Sequence, residues 1–217
     1  MNSSVNGRRT VGRPRNTDSD ARRERILEVA TDIFSRDGYR STAMTTIARG
    51  AGLSQTGLLH HFPNKNALLN AVMARRDSHD WLKIDLAGTR ARGWHYIENL
   101  VFLVEHNQSK KSIVKLFTTL SGEAVDIDHP ANHWLLEHHQ TFSEAICQAL
   151  NEAKSDGLID ANAPVESIAR TIMAVMDGLQ IQWLSNTDYK DMSHDFSLYI
   201  DTIRKQWQAP HKPEQDK

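Results

Sequence analysis

Residues 42–62 read TAMTTIARGAGLSQTGLLHHF, and this stretch predicts two short helices joined by a tight turn. Ile47 gives the first helix a buried edge, and Gly52 lets the chain turn without a Cβ clash. Ser54 can cap the second helix, because its hydroxyl accepts a backbone N–H two or three residues later. Leu58 then faces inward, so the two short helices together predict a helix-turn-helix.

The outward face of the second helix carries small or hydrogen-bonding residues and no acidic side chain: Gln55, Thr56, Gly57, His60 and His61. A helix with this surface can enter the major groove of DNA without repelling the phosphates. The alternative is a helical hairpin in an all-α protein that never touches DNA. The hairpin alone does not separate the two interpretations.

Composition narrows the class of protein. A chain of 217 residues has room for one or two domains, and its single cysteine, Cys147, excludes an intrachain disulfide and fits a reducing compartment. No apolar run approaches membrane-spanning length, and the N-terminus is polar and basic without an apolar signal core, so we expect a cytoplasmic protein.

Charge is divided unevenly along the chain. Up to Lys65 there are 11 basic and 6 acidic residues, and the remainder holds 15 basic and 21 acidic ones. This division indicates that a basic N-terminal region suited to binding a polyanion is joined to an acidic remainder of the chain.

Residues 1–17 form a basic tail that we expect to be disordered when free. Arg13 and Arg15 lie in a Gly-Arg-Pro-Arg run, which can follow the minor groove of DNA in an extended form. A tail that only increases solubility is the alternative.

Apolar periodicity predicts helices through the rest of the chain. The first is expected over 18–37 with Asp18 or Ser19 as its cap, another begins at Lys65, and a longer one opens at His129-Pro130. The fold class is therefore all-α. A three-helix domain over 18–64 precedes a larger helical bundle over 65–208 and a tail over 209–217.

At this point the chain resembles the TetR family of bacterial transcriptional regulators. The resemblance rests on TTIARGAGLS over 45–54, Leu58, HHFPNK over 60–65 and ALL over 67–69. It implies a DNA-binding domain, a helical domain that binds a ligand and dimerises, and usually repression that a small molecule relieves. The implied partners are an inverted-repeat operator, an unidentified effector and a second copy of the chain.

Two positions depart from the family pattern. The residue before the His-His pair is commonly aromatic and contacts a phosphate in the family, whereas here it is Leu59. The residue after the capping serine is frequently basic, whereas Gln55 stands here. Glutamine can pair with adenine through two hydrogen bonds, so we predict that Gln55 reads a base.

Roles at the DNA follow from the resemblance. Thr56 is expected to read a base edge beside Gln55. Arg13 and Arg15 are expected in the minor groove. Phosphate contacts are expected from Thr45, Ser54, His60 and Lys65.

Two further sites are expected in the second domain. Aromatic or half-polar residues of its middle helices can line an effector pocket: Trp94, Phe102, Phe117, Trp134, His138 and Phe142. The last two helices are expected to pair with the partner chain through Val175, Gly178, Leu179, Trp183, Tyr199 and Ile203. Ordinary core packing is the alternative for both sets.

Histidines crowd one stretch and raise an alternative function. His129, His133 and Glu137 follow one another at intervals of four, a spacing that suits a metal ion and predicts a metal sensor or, less well, a helical metalloenzyme. A DNA-binding protein without an effector is the third alternative. No nucleophile motif or phosphate-binding glycine loop is present, so we expect no enzyme activity and no cofactor.

Overall fold

Helices make up about three quarters of the part of the chain that the computed structural model describes, residues 15–85 and 91–210, with side chains described over 18–80 and 91–210. The helices are α1 (Arg15–Asp37), α2 (Met44–Gly50), α3 (Gln55–His61), α4 (Lys65–Asp85), α5 (Gly93–Gln108), α6 (Lys111–Glu123), α7 (Asn132–Ser155), α8 (Val165–Ser185) and α9 (Met192–Trp207). Within these ranges there is no strand, so the all-α prediction is confirmed. None of these helices is long and apolar enough to cross a membrane.

Two predicted helix starts are wrong. Helix α1 begins at Arg15, so Asp18 lies in its first turn instead of capping it; a carboxylate there still interacts favourably with the positive end of the helix. Helix α7 begins at Asn132, and the preceding residues form a turn that the backbone N–H of Asn132 closes on the carbonyl of His129 at 2.9 Å.

The helix-turn-helix is confirmed in detail. Gly52 has a φ of +70°, a conformation that favours glycine, and its backbone places Leu53 to donate to the Ala48 carbonyl at 2.9 Å. Ser54 caps α3 by accepting the N–H of Gly57 at 3.0 Å. Leu58 is fully buried, as its spacing predicts.

Two apolar cores hold the helices together. The first joins α1–α4 to α6 and to the start of α7, with Phe34, Leu69 and Phe117 among its buried members. The second lies among α5, α7, α8 and α9, with Ile97 and Phe196 at its centre. Helices α1–α4 therefore share a continuous core with α6 and the start of α7.

Lys65 holds the loop between α1 and α2 in place. Its ammonium donates to the carbonyl oxygens of Tyr39, Arg40 and Thr42 at 2.9–3.1 Å, and it lies 4.6 Å from the Tyr39 ring centroid. The three carbonyls use all three donors of the ammonium. The structure thus gives Lys65 an internal role in place of the phosphate contact that the sequence predicts.

We predict that Lys65→Met lowers the free energy of unfolding by about 2 kcal/mol, because it removes hydrogen bonds to a charged group and leaves carbonyls without that donor. Urea denaturation measures the loss. Arg49→Met is the matched control, since this exposed arginine forms no side-chain hydrogen bond or ion pair within the described residues. A fall of about one in the salt dependence of DNA affinity, with stability unchanged, would restore the phosphate role.

Candidate DNA-binding surface and effector cavity

The exposed side of α3 matches the predicted recognition surface. Gln55, Thr56 and His60 are exposed, and Gly57 and His61 are partly buried. A Cβ on Gly57 would lie 3.3 Å from the Ser54 Oγ, so glycine leaves space around the capping hydroxyl. The sequence predicts this surface because the inward positions of so short a helix are fixed by its few apolar residues.

Acidic side chains are excluded from a longer stretch than α3 itself. From Gly38 to Arg76 the chain contains no aspartate or glutamate, although it contains arginine, lysine and histidine. Thr45 is exposed on α2, beside this surface. A surface without carboxylates suits a polyanion, because no fixed negative charge opposes the phosphates.

Two other predicted DNA contacts, Arg13 and Arg15, lie at or before the start of the described residues. Arg13 lies outside the described residues, and Arg15 is placed as the first residue of α1 without a described side chain. The expectation of an extended chain is wrong for Arg15, which the structure places in a helix. Leu59, at the position where an aromatic is common, is 38 % exposed and has no polar atom to offer a phosphate.

An enclosed cavity of about 20 Å³ lies between α4, α5, α6, α7 and α8. Its lining includes three of the residues predicted for the effector, Phe117, His138 and Phe142. The rings of His138 and Phe142 stack with centroids 6.0 Å apart, and Phe117 lies edge-on to His138 at 5.3 Å. The cavity holds about one water molecule.

The other predicted pocket residues lie elsewhere. Trp134 packs beside the cavity, where its ring is 5.4 Å from that of His138. Trp94 is buried in the second core, and Phe102 is 58 % exposed on α5, so the prediction is wrong for these two. Aromatic residues recur at similar spacing on core and cavity faces, so periodicity alone does not separate them.

Charged residues that sequence reasoning missed complete the lining: Arg76, Asp77, Asp80 and Asp177. The guanidinium of Arg76 lies 3.8 Å above the centroid of the Phe117 ring and within 3.3 Å of both Asp77 and Asp80. An RRDSHD run on α4 reads as a solvated helix surface, and only the packing of α4 against four other helices buries it.

Asp77 is the best satisfied of the three carboxylates. Its oxygens are contacted by Arg76, by His138 Nδ1 at 3.0 Å and by Trp134 Nε1 at 2.8 Å. Burial raises the pKa of Asp77, but the hydrogen bonds from His138 and Trp134 and the charge of Arg76 outweigh it and hold the pKa below its usual range. Asp77 therefore stays ionised.

Asp80 and Asp177 are poorly compensated. Burial raises the pKa of Asp80, and Asp77 adds to this effect against the opposing charge of Arg76. Burial raises the pKa of half-buried Asp177 more than the nearby His139, His138 and Arg76 lower it. Its carboxylate accepts no hydrogen bond or ion pair within the described residues. The cavity thus contains more negative charge than it neutralises.

A larger open cleft of about 560 Å³ adjoins the cavity between α1, α4, α5 and α6. Arg76, Asp80 and Asn107 line both spaces. These side chains therefore separate the enclosed cavity from this cleft, while Asp177 also lines an open cleft between α7 and α8, and Asp77 and His138 line one between α4 and α7.

The histidine cluster does not assemble as a metal site. His129 is buried against Tyr39, accepts the N–H of Ala131 through Nδ1 and faces Glu123 through Nε2 at 3.3 Å. His133 pairs with Glu137 on the surface at 3.4 Å, apart from His129. Among the described residues no group of three or more potential ligands could hold a metal ion.

The predicted dimer residues mostly face the chain's own core. Ile203 is buried there, and the partly buried side chains Val175, Leu179, Trp183 and Tyr199 pack against it. The prediction selected the inward apolar stripe of each helix, which periodicity favours.

The outward faces of α8 and α9 carry two apolar residues that the prediction missed. Ile181 is 55 % exposed and Leu198 52 %. The Cβ position of Gly178 has open space around it.

Known proteins resemble this chain in sequence and in fold. Residues 26–72 match the family model described as bacterial regulatory proteins, tetR family. The transcriptional regulator UidR of Escherichia coli is 25 % identical over 193 residues, covering 84 % of this chain and 89 % of UidR. RutR of the same species is 45 % identical over 53 residues, 24 % of this chain and 25 % of RutR.

A solved transcriptional regulator from Saccharomonospora viridis, in complex with choline, superimposes with a TM-score of 0.71 at 20 % identity and covers 89 % of this chain and 100 % of its own. The helix-turn-helix, the acid-free surface and the nine described helices agree with these matches: residues 26–72 are similar to the DNA-binding domain of tetR-family regulators, and the chain is similar over most of its length to transcriptional regulators.

Proposed function

We propose that the chain is a homodimeric repressor that leaves its operator when a small molecule binds in the enclosed cavity. The observation that carries the proposal is that the cavity shares helices with the DNA-binding core. Phe117 of α6 lines the cavity and belongs to the first core, and α4 carries Arg76 as well as Leu69 of that core. The choline complex supports the proposal by showing that this fold accommodates a small molecule in a related protein.

The effector acts by differential affinity. A molecule larger than the 20 Å³ cavity must displace side chains to enter, so it favours a conformation with a wider spacing of α4, α6 and α7. If that conformation binds DNA less well, effector and operator oppose each other by the same coupling free energy. The cavity is bounded by those helices rather than by loops, which favours movement of whole helices.

Each DNA contact has its own proposed role. Gln55 and Thr56 read base edges from the start of α3. Thr45, Ser54 and His60 hold phosphates, with Ser54 donating its hydroxyl proton while its oxygen caps the helix. Arg13, which precedes α1, and Arg15, the first residue of α1, contact the minor groove, and the domain over 18–64 acts together with the first half of α4.

Selection of bound sequences from random duplex DNA, followed by affinity against salt, tests the proposed function. An inverted repeat with a steep fall in affinity as salt rises supports a dimeric sequence-specific regulator. Enrichment of no sequence would contradict it.

We predict that Gln55→Ala weakens binding to the selected operator by about 1–3 kcal/mol and relaxes the preference at one base pair. Affinity for unrelated duplex DNA should not change, because the substitution removes no positive charge. Titration of both duplexes with the variant measures the difference. An equal loss on both duplexes would assign Gln55 to the phosphate backbone.

Substitution of the exposed apolar residues of α8 and α9 tests the proposed homodimer. Ile181→Glu with Leu198→Glu should convert the dimer to a monomer and lower operator affinity at least tenfold, because charges would be buried unpaired at the interface. Analytical ultracentrifugation measures the mass. Leu136→Glu is the control, since Leu136 is 60 % exposed on α7. A dimeric double variant would place the interface elsewhere.

The charge of Asp177 predicts a dependence of stability on pH. Its pKa is raised in the folded chain, so the folded state loses stability as pH rises from about 4, the unfolded value, through the raised value. Asp177→Asn should therefore stabilise the protein at pH 7 and lose that advantage in acid. Urea denaturation at both pH values measures this, with exposed Asp201→Asn as control. Equal effects of Asp177→Asn at both pH values would refute it.

A further inference from the structure

The cavity is short of positive charge. Three carboxylates, of Asp77, Asp80 and Asp177, face one arginine, Arg76, and one histidine, His138. Arg76 is paired with Asp77 and Asp80, and His138 is paired with Asp77. Half-buried Asp177 accepts no hydrogen bond or ion pair among the described residues, although His139 lies close enough to interact with it electrostatically. A buried carboxylate without a partner is costly, and a cation entering the cavity would remove that cost.

Arg76 already shows how a cation binds here. Its guanidinium lies on the face of Phe117 at 3.8 Å and bridges Asp77 and Asp80 at 3.3 and 3.2 Å. Only 6 % of its side chain is exposed. An aromatic face combined with carboxylates is the arrangement that binds organic ammonium and guanidinium groups. Phe142, stacked on His138, adds a second aromatic wall.

The route into the cavity passes Arg76. This side chain lines both the enclosed cavity and the 560 Å³ cleft, so its withdrawal would join the two spaces. Asp32 of α1 lines the same cleft and forms no ion pair within the described residues. A displaced Arg76 side chain would therefore be able to pair with the carboxylate of Asp32 on α1.

The basic side chains of the outer cleft do not determine which charged group the enclosed cavity binds. Arg25, Arg75, Lys110 and Lys111 line the cleft, so the cleft alone does not attract a positive ligand. Arg75 is paired with Glu24 and Arg25 with Glu28, both outside the cavity. The enclosed carboxylates, which are the less hydrated ones, decide which charged group is held.

We propose that the effector is an organic cation, an amine or guanidine on an apolar body, whose charged group takes the place of the Arg76 guanidinium between Phe117 and the carboxylates of Asp77 and Asp80. This inference rests on the proposed function, because it names the effector class of the same cavity. Exchange moves Arg76 towards α1, so the switch consists of one internal cation replaced by an external one.

Benzamidine, benzamide and benzoate form the test series, because they share shape and differ in charge. Calorimetry and thermal melting with the full-length protein should show that benzamidine binds, and gel-shift titration should show that it releases the selected operator. Benzamide and benzoate should do neither. Binding of either control as tight as that of benzamidine, or no benzamidine binding up to about 10 mM, overturns the proposed charge class.

Variants test the exchange itself. Arg76→Ala removes the internal competitor and should tighten benzamidine binding at least tenfold, whereas Arg204→Ala, which removes an exposed arginine paired with Glu98 and lines neither space, should leave the affinity unchanged. Asp177→Asn should weaken benzamidine at least tenfold. It also keeps the test decisive if Arg76→Ala does not fold. Unchanged affinity in Asp177→Asn overturns the proposal.

Failure of the inference and failure of the proposed function are distinguishable. Operator binding by each preparation is measured first without any probe. A protein that selects no operator contradicts the proposed function. A protein that binds its operator and is released by benzamide or benzoate keeps the proposed function and loses the cationic effector.

Discussion

The structure depends on the apolar core that the DNA-binding helices share with α6 and the start of α7. Phe34 of α1, Leu69 of α4 and Phe117 of α6 are buried in one continuous cluster, so the small domain does not close on itself. Tyr39 extends this contact, because its ring meets His129 ahead of α7 while its carbonyl accepts the Lys65 ammonium. Close-packed interiors transmit displacement instead of absorbing it. A shift of α6 or α7 is therefore felt at the helix-turn-helix.

The charged cavity lies at the edge of this core, so a ligand that entered it would displace helices that belong to the core. Arg76 reaches from α4 over Phe117 and holds two carboxylates, while Asp177 on α8 accepts no hydrogen bond or ion pair within the described residues. Such an arrangement costs stability, since ionised groups are kept away from water with incomplete pairing. Functional sites commonly lower the stability of a protein. Here the destabilising carboxylates lie where the proposed ligand would bind and offset the loss.

Several histidine and aromatic residues illustrate why local pattern and final role differ. His129 and His133 share a spacing that suits a metal, yet the turn before Asn132 places the first in the core and leaves the second on the surface. Trp94 and Phe117 are both aromatic residues on apolar helix faces, yet one fills the second core and the other lines the cavity. These outcomes depend on which helices pack together, and that information is spread over the whole chain.

The sequence by itself determined the helical class, the helix-turn-helix with its Ser54 cap and Gly52 turn, and the inward side of α3. Those features follow from local rules: capping, backbone conformation and apolar spacing within a few residues. Tertiary structure alone decided that Lys65 binds three carbonyls, that Ile203 is core, and that Arg76, Asp77, Asp80 and Asp177 meet. The physical reason is burial. A charged helix surface becomes a binding site only when distant helices exclude water from it, and no local pattern records that exclusion.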